Sequence, residues 1–228
     1  DIIVDEQVVG FALTQDFWSD QWPRPCNYYY EQRYEFYQDG RFRPVVTSLG
    51  RGCGDDGTYR PVTRIALAGD YTLSEWDGAS WDDWAVERWR LAADIPANAD
   101  GYRLRLSRAD GSGFYLIPST GQFGDGGRGD HAYVYATLDH PDQDEGESDM
   151  PTIGPCCNED YQQGPEKFIE PTAEAIADSP LVVWYVPQIK NDGTPGSEYC
   201  WAESVLENGV YVPKAYPCPS GPLFVPLP

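Results

Sequence analysis

Residues 27–40, read as Asn27-Tyr28-Tyr29-Tyr30-Glu31-Gln32-Arg33-Tyr34-Glu35-Phe36-Tyr37-Gln38-Asp39-Gly40, constrain the fold more than any other stretch of the chain. A run rich in tyrosine and free of Gly and Pro ends in Asp-Gly, a pair suited to a tight turn because both of its residues tolerate positive φ. This predicts a long strand closed by a two-residue hairpin turn. Side chains alternate across a strand, so Tyr28, Tyr30, Gln32, Tyr34 and Phe36 share one mostly apolar face. Tyr29, Glu31, Arg33, Glu35 and Tyr37 share the more polar one. The apolar face is expected to carry Tyr28 into the core, its hydroxyl met by a buried polar partner.

The rest of the chain follows the same grammar. Short β-rich runs at 7–13, 41–48, 59–68, 101–107, 113–118, 131–138, 181–187 and 209–213 alternate with Gly, Pro, Asp and Ser punctuation. That spacing predicts an all-β fold, an antiparallel β-sandwich. One or two short helices are expected, at 81–92 and 170–178. The 228 residues are read as a single sandwich domain with an extended tail at about 213–228. The tail is too rich in proline for a central strand, and its Leu223, Phe224, Val225 and Leu227 suit either docking on a neighbouring chain or packing back on their own sandwich.

Charge and cysteine content bound the setting. With 37 acidic against 16 basic residues the chain carries −21, which disfavours nucleic acid and anionic lipid as partners. No apolar run reaches the roughly 18 residues that a spanning helix needs. Six cysteines and a single methionine fit an oxidising compartment, so the chain is expected to be secreted (extracellular or periplasmic), with Asp1 as a processed N-terminus. Cys26 and Cys53 stand equally far from the Asp39-Gly40 pair. If the hairpin register holds, their Cβ atoms lie about 4.5–5.5 Å apart, and a Cys26–Cys53 bridge is expected. Cys200–Cys218 is the natural second pair, leaving Cys156 and Cys157 bonded to each other or available to another chain.

Candidate sites are sparse. The acidic segment 139–149 offers Asp139, Asp142 and Asp144 as oxygen ligands for calcium, against the simpler reading of a solvated loop. His131 and His140 are the only histidines; the first is expected in a strand and the second in solvent. Trp76, Trp81, Trp84 and Trp89 form a cluster suited either to the core or to a protein- or carbohydrate-binding surface. Arg128-Gly129-Asp130 spells an adhesion tripeptide but is read as chance.

The stretch from Asn27 to Gly40 resembles the cofactor strand of copper amine oxidases, in which a tyrosine is oxidised to topaquinone beside a copper ion. Tyr28 stands at the cofactor position. Further pieces are similar in order: Thr58 to Ala66, anchored on Arg64-Ile65, then Gly101-Tyr102-Arg103-Leu104, Asp130 to Ala136, and Pro180 to Tyr185. The resemblance covers the C-terminal half of the family's catalytic domain in shortened form. It implies that fold, and it places the family's three copper ligands at Gly57, Tyr59 and Asn191, none of them histidine. The family's calcium-binding aspartates fall on Ala66 and Ala68. Its catalytic aspartate lies far upstream of the cofactor tyrosine and has no counterpart here.

These readings lead to one expectation: a secreted, disulfide-stapled, non-catalytic relative that acts as a structural or accessory subunit. Tyr28 is expected to be unmodified, and no cofactor is expected, with calcium the one ion the sequence could take up. Its partner would be protein, either another chain or a copy of itself. The alternatives are an active oxidase with relocated metal ligands and a cell-surface carbohydrate- or calcium-binding module.

Overall fold

The computed structural model describes residues 1–51, 56–119, 130–146, 164–169, 172–192, 202–215 and 219–228. In chain order the elements are β1 (Ile2–Val4), β2 (Gln7–Trp18), β3 (Tyr28–Tyr37), β4 (Phe42–Arg51), β5 (Asp56–Tyr59), β6 (Thr63–Trp76), β7 (Trp81–Asp83) and β8 (Arg88–Leu91). A 3-10 turn at Ala92–Asp94 precedes β9 (Leu104–Ser107), β10 (Gly113–Ile117), β11 (Tyr133–Leu138) and the one-turn helix α1 (Glu166–Ile169). β12 (Ser179–Val186), β13 (Ile189–Asp192), β14 (Ala202–Glu207), β15 (Val210–Ala215) and β16 (Leu223–Pro226) follow. Every strand pair whose register is described is antiparallel. The chain is an all-β, sandwich-like protein, and it divides into two compact units.

The first unit comprises Asp1–Pro61, Pro118–His131 and Pro187–Leu223. Its main sheet is the meander β1-β2-β3-β4, beside the pairs β5–β13 and β14–β15. The β3–β4 turn is not the expected two-residue one. The Gly40 amide donates to the Tyr37 carbonyl (3.0 Å) and the Tyr37 amide to the Arg41 carbonyl (2.8 Å), so Gln38, Asp39 and Gly40 form a three-residue loop. Gly40 takes φ 85°, the left-handed position that closes such loops and favours glycine. Pairing therefore starts at Phe36↔Phe42. A bulge between Tyr29 and Tyr30 restores the offset, giving Tyr29↔Gly50 and Tyr28↔Arg51. That last pairing has the register expected from the Asp39-Gly40 pair. Cys26 is disulfide-bonded; Cys53, Cys156, Cys157, Cys200 and Cys218 lie outside the described residues.

The second unit comprises Val62–Ile117, Ala132–Val186 and Phe224–Pro228. Strand order runs β16-β10-β9-β6-β12-β11-β8, with β7 also on β6. The long β6 serves two layers. Residues from Thr63 to Tyr71 pair with β12, and those from Thr72 to Glu75 pair with β9. Gly69, at φ 101°, lies just before this handover, in backbone space that an L side chain rarely enters. β11 and β12 are covered on both faces. On one, Tyr135, Val182, Trp184 and Val186 pack against Val62, Trp89, Tyr133 and the Phe168 and Ile169 side chains of α1. On the other, Val134, Ala136, Val183 and Tyr185 are equally buried. Leu73, Leu104, Leu106, Leu116 and Phe224 are fully buried as well, each contributing about 1.5–3 kcal/mol by the transfer of its side chain from water.

Four expectations are corrected. The segment from Trp81 to Ala92 is not a helix. Asp77 caps a tight turn by accepting from the Ala79 and Ser80 amides (both 2.7 Å), which folds Trp81 back beside Trp76. The segment 172–178 is irregular, since Ala175 bridges to Val86 and the Glu174 amide donates to Glu87. The tail is not a free docking segment: its residues supply part of β15 and all of β16, and Phe224 is fully buried. Tyr28 is not a core residue. It is 42% exposed, and Tyr34 and Phe36 on the same face are exposed too. The polar face turns out to be the more covered one, because its charges are met: Glu35 accepts from Arg33 Nε and from the Tyr37 hydroxyl, both at 2.8 Å.

Candidate functional site

Of the positions singled out by the resemblance, Tyr28 and Tyr59 both contact Tyr30, at the start of β3. Tyr28 and Tyr30, two apart on a strand, point the same way and stack with ring centroids 5.7 Å apart. Tyr59, the last residue of β5, stands edge-on to Tyr30 at 6.0 Å and hydrogen-bonds to it. Burial first, then the neighbouring Tyr59 and Tyr28, push the Tyr30 phenol far above its ordinary pKa. The strand start is pinned by Ser19, whose Oγ accepts from the Tyr28 amide (3.0 Å). Asn27 donates from Nδ2 to the carbonyls of Arg24 (3.0 Å) and Pro25 (3.1 Å). Tyr29 points to the other side. There its hydroxyl donates to Asp16 (3.1 Å) and its ring meets Trp18 and Trp22.

β5 and β13 bring the three ligand positions onto one ladder, with Gly57 directly across from Asn191 and Tyr59 across from Ile189. The residue types there do not suit a redox copper. Glycine has no side chain, and copper favours imidazole and thiolate donors. Tyr59 is engaged with a phenol that burial holds protonated. His131 enters the neighbouring loop at φ 40° and is held by its carbonyl, which accepts from Gln188 Nε2 (3.0 Å). The arrangement can stack rings and share phenolic hydrogen bonds, and it offers no set of imidazoles.

The acidic segment holds a different constellation. Asp139 is paired with Arg64 (2.8 Å), whose Nε also donates to the Glu145 carbonyl (3.2 Å). His140 is not solvated as expected. Its Nδ1 meets the buried Glu145 carboxylate at 3.2 Å and its Nε2 meets Glu174 at 2.9 Å. The hydrogen bond to Glu145 is the main cause that raises the His140 pKa. Asp142 and Asp144 are exposed. Among the described residues no group of three His, Cys, Asp or Glu is placed to hold a metal ion, and part of the segment lies outside them.

The tryptophans divide between roles. Trp84 is fully buried, and its indole donates to Glu75 (3.1 Å). Trp89 packs on the β11–β12 face. Trp76 and Trp81 stand edge-on at 5.5 Å, Trp81 lies over Tyr115 at 5.9 Å, and Tyr115 stacks on Tyr102 at 3.8 Å and 5°. Arg105 sits 4.8 Å above Trp81. Asp130 of the tripeptide is buried and accepts from Ser220 Oγ (3.1 Å), which removes its carboxylate from any adhesion surface. Sequence reasoning missed this row of rings and the Glu75–Trp84 contact. Both depend on strand pairings that spacing along the chain does not reveal.

No family model matches this chain, and no curated protein matches it. Among solved structures it is similar to an amine oxidase of Aspergillus nidulans, at 14% identity and a TM-score of 0.43. That similarity covers 95% of this chain, which spans about a third (34%) of the enzyme's length. It is a distant likeness of fold, and no residue role passes through it.

Proposed function

We propose that this chain is a secreted, non-catalytic, amine-oxidase-like protein that serves as a structural or accessory subunit of an extracellular assembly. The observation that carries the reading is the chemistry at the end of β3. Where a copper-dependent oxidase needs imidazoles beside its cofactor tyrosine, this chain has Gly57, Tyr59 and Asn191, and Tyr59 is committed to Tyr30. Six cysteines against one methionine support the oxidising compartment. The test is metal retention. After incubation with cupric ion and exhaustive dialysis, elemental analysis should find well under one copper per chain. One tightly held copper per chain would contradict the reading and favour an oxidase with relocated ligands.

One observation favours a second reading, a carbohydrate-binding module: the row of Trp76, Trp81, Tyr115 and Tyr102 with Arg105 above it. Aromatic rings beside a few placed polar groups are the common lining of small-ligand sites. Glycan-array binding lost on Trp81→Ala would support it, and binding indifferent to that change would remove it.

A further inference from the structure

We propose that the Tyr29 face of β2 and β3, at Trp18, Trp22, Tyr29, Asp16 and Glu31, takes the guanidinium group of an arginine carried by a protein partner; the proposal rests on the protein-binding reading above and names what that partner presents. Two cross-strand pairs lie side by side there, Trp18 opposite Tyr29 and Asp16 opposite Glu31. Side chains two apart on a strand share a face, so the aromatic pair and the carboxylate pair stand about 7 Å apart along it. The loop between β2 and β3 adds a third ring. The Trp22 amide donates to the Ser19 carbonyl (2.9 Å), and the indole comes down on Gly50, where a Cβ would meet it at 2.4 Å. Trp22 and Trp18 then flank Tyr29 at 5.5 and 5.9 Å, with ring planes 48° and 80° from its own. The rings can be reached from solvent: Trp18 is 59% exposed, and Asp16 is exposed too.

The carboxylates decide what such rings can take. Like charges directly opposite on neighbouring strands destabilise a sheet, yet among the described residues neither Asp16 nor Glu31 is paired with a cation. Arg33, the next basic residue on that face, is bonded to Glu35 (2.8 Å), and Arg24 of the loop to Gln21 (3.5 Å). Both carboxylates act on Tyr29, whose hydroxyl donates to Asp16. Its pKa is raised by burial first, then by that bond and by the charges of Asp16 and Glu31. Elsewhere the chain fills the same combination of ring and carboxylate with an arginine of its own. Arg88 lies 4.5 Å over Trp84 and pairs with Glu75. Arg64 lies 5.7 Å over Trp184 and pairs with Asp139, and Arg41 lies 4.9 Å over Tyr37 and pairs with Asp39. At Trp18, Trp22 and Tyr29 the rings and carboxylates are in place and, among the described residues, the arginine is not. A guanidinium suits the position better than an ammonium, because it stacks on aromatic faces and is more weakly hydrated. A chain of −21 also draws basic partners toward it. A neutral sugar would leave the two carboxylates facing each other unrelieved.

The experiment is a ligand-observed NMR titration of the full chain with a capped Gly-Arg-Gly peptide and, at matched ionic strength, its citrulline and lysine counterparts. Citrulline has the shape of arginine without the charge. The arginine peptide should bind with a Kd on the order of 1–10 mM, the lysine peptide at least about twofold more weakly, and the citrulline peptide without saturation. Trp18→Ala should weaken arginine binding about two- to fivefold, the loss of one cation–π contact. Glu31→Gln should weaken it by about the same factor, and its melting temperature should not fall, because the change also relieves the repulsion from Asp16. Trp81→Ala, whose ring already carries Arg105 at 4.8 Å, should leave binding unchanged. Free arginine brings a carboxylate of its own and should bind more weakly than the capped peptide; tighter binding of free arginine would overturn the partner as its source. Absence of saturation up to about 50 mM, equal binding of the citrulline peptide, or indifference to both the Trp18 and the Glu31 change overturns the site. One copper retained per chain would strike the non-catalytic reading without touching this one.

Discussion

Glu75 offers the most quantitative test of the packing described for the second unit. It is 7% exposed, yet three groups converge on its carboxylate: the Trp84 indole (3.1 Å), Arg90 (3.1 Å) and Arg88 (2.9 Å). Arg88 also covers the Trp84 ring at 4.5 Å. Replacing Glu75 with Leu removes a charge-assisted bond worth about 1.5–3 kcal/mol and strands a buried indole N–H. The two arginines are about a third or more exposed (34% and 40%), so each ion pair adds at most about 1 kcal/mol after solvent screening. The expected loss is about 3–4 kcal/mol. Glu75→Gln keeps an oxygen for the indole and loses only charge, so it should cost about 1–2 kcal/mol. Urea unfolding followed by near-ultraviolet circular dichroism would measure both. Equal losses for Leu and Gln, or a Leu variant within about 0.5 kcal/mol of wild type, would refute the assignment of Glu75 as the indole's acceptor.

Other outcomes can be checked independently. Phe224→Ala, at a fully buried position of β16, should cost about 3–5 kcal/mol; removal of residues 219–228 should lower the melting temperature sharply rather than leave the fold intact. His140 has a folded pKa raised mainly by Glu145, so its contribution to stability is full below its ordinary pKa and is lost as pH rises through the folded value. His140→Gln should therefore destabilise at pH near 5 and be almost silent near 9, by thermal melts at the two pH values. Non-reducing peptide mapping should join Cys26 to Cys53; a loop of that length contributes about 3–4 kcal/mol on the chain-entropy estimate, and a Cys26–Cys156 peptide would show the register argument to be wrong.

Much of the fold was legible where a single physical rule governs. The strand from Tyr28 to Tyr37 was read to the residue, because an uninterrupted aromatic-rich run before Asp-Gly leaves few alternatives. β10, β11 and β12 came within two residues of their runs for the same reason. The hairpin register was legible only at its far end, where a bulge at Tyr29/Tyr30 offsets the longer turn; bulges leave no mark in composition. Which face of β3 is covered was misread because hydrophobicity was taken as burial, whereas Arg33, Glu35 and Tyr37 satisfy one another. Trp81, Trp84 and Trp89 mimicked a helical stripe, although they belong to a half-buried row of rings, a buried hydrogen bond to Glu75 and the β11–β12 face. At the site, the residue types at Gly57, Tyr59 and Asn191 were readable at once. Their convergence on the β5–β13 ladder, and the Tyr30–Tyr59 contact that engages one of them, required the structure.

The central claim, that the tyrosine cluster has no oxidase chemistry, is tested most directly by the mass of the peptide containing Tyr28 after the intact protein has been held aerobically with cupric ion. The account predicts an unmodified tyrosine and no redox-cycling stain. A gain of two oxygen atoms with loss of two hydrogens at Tyr28 would contradict it.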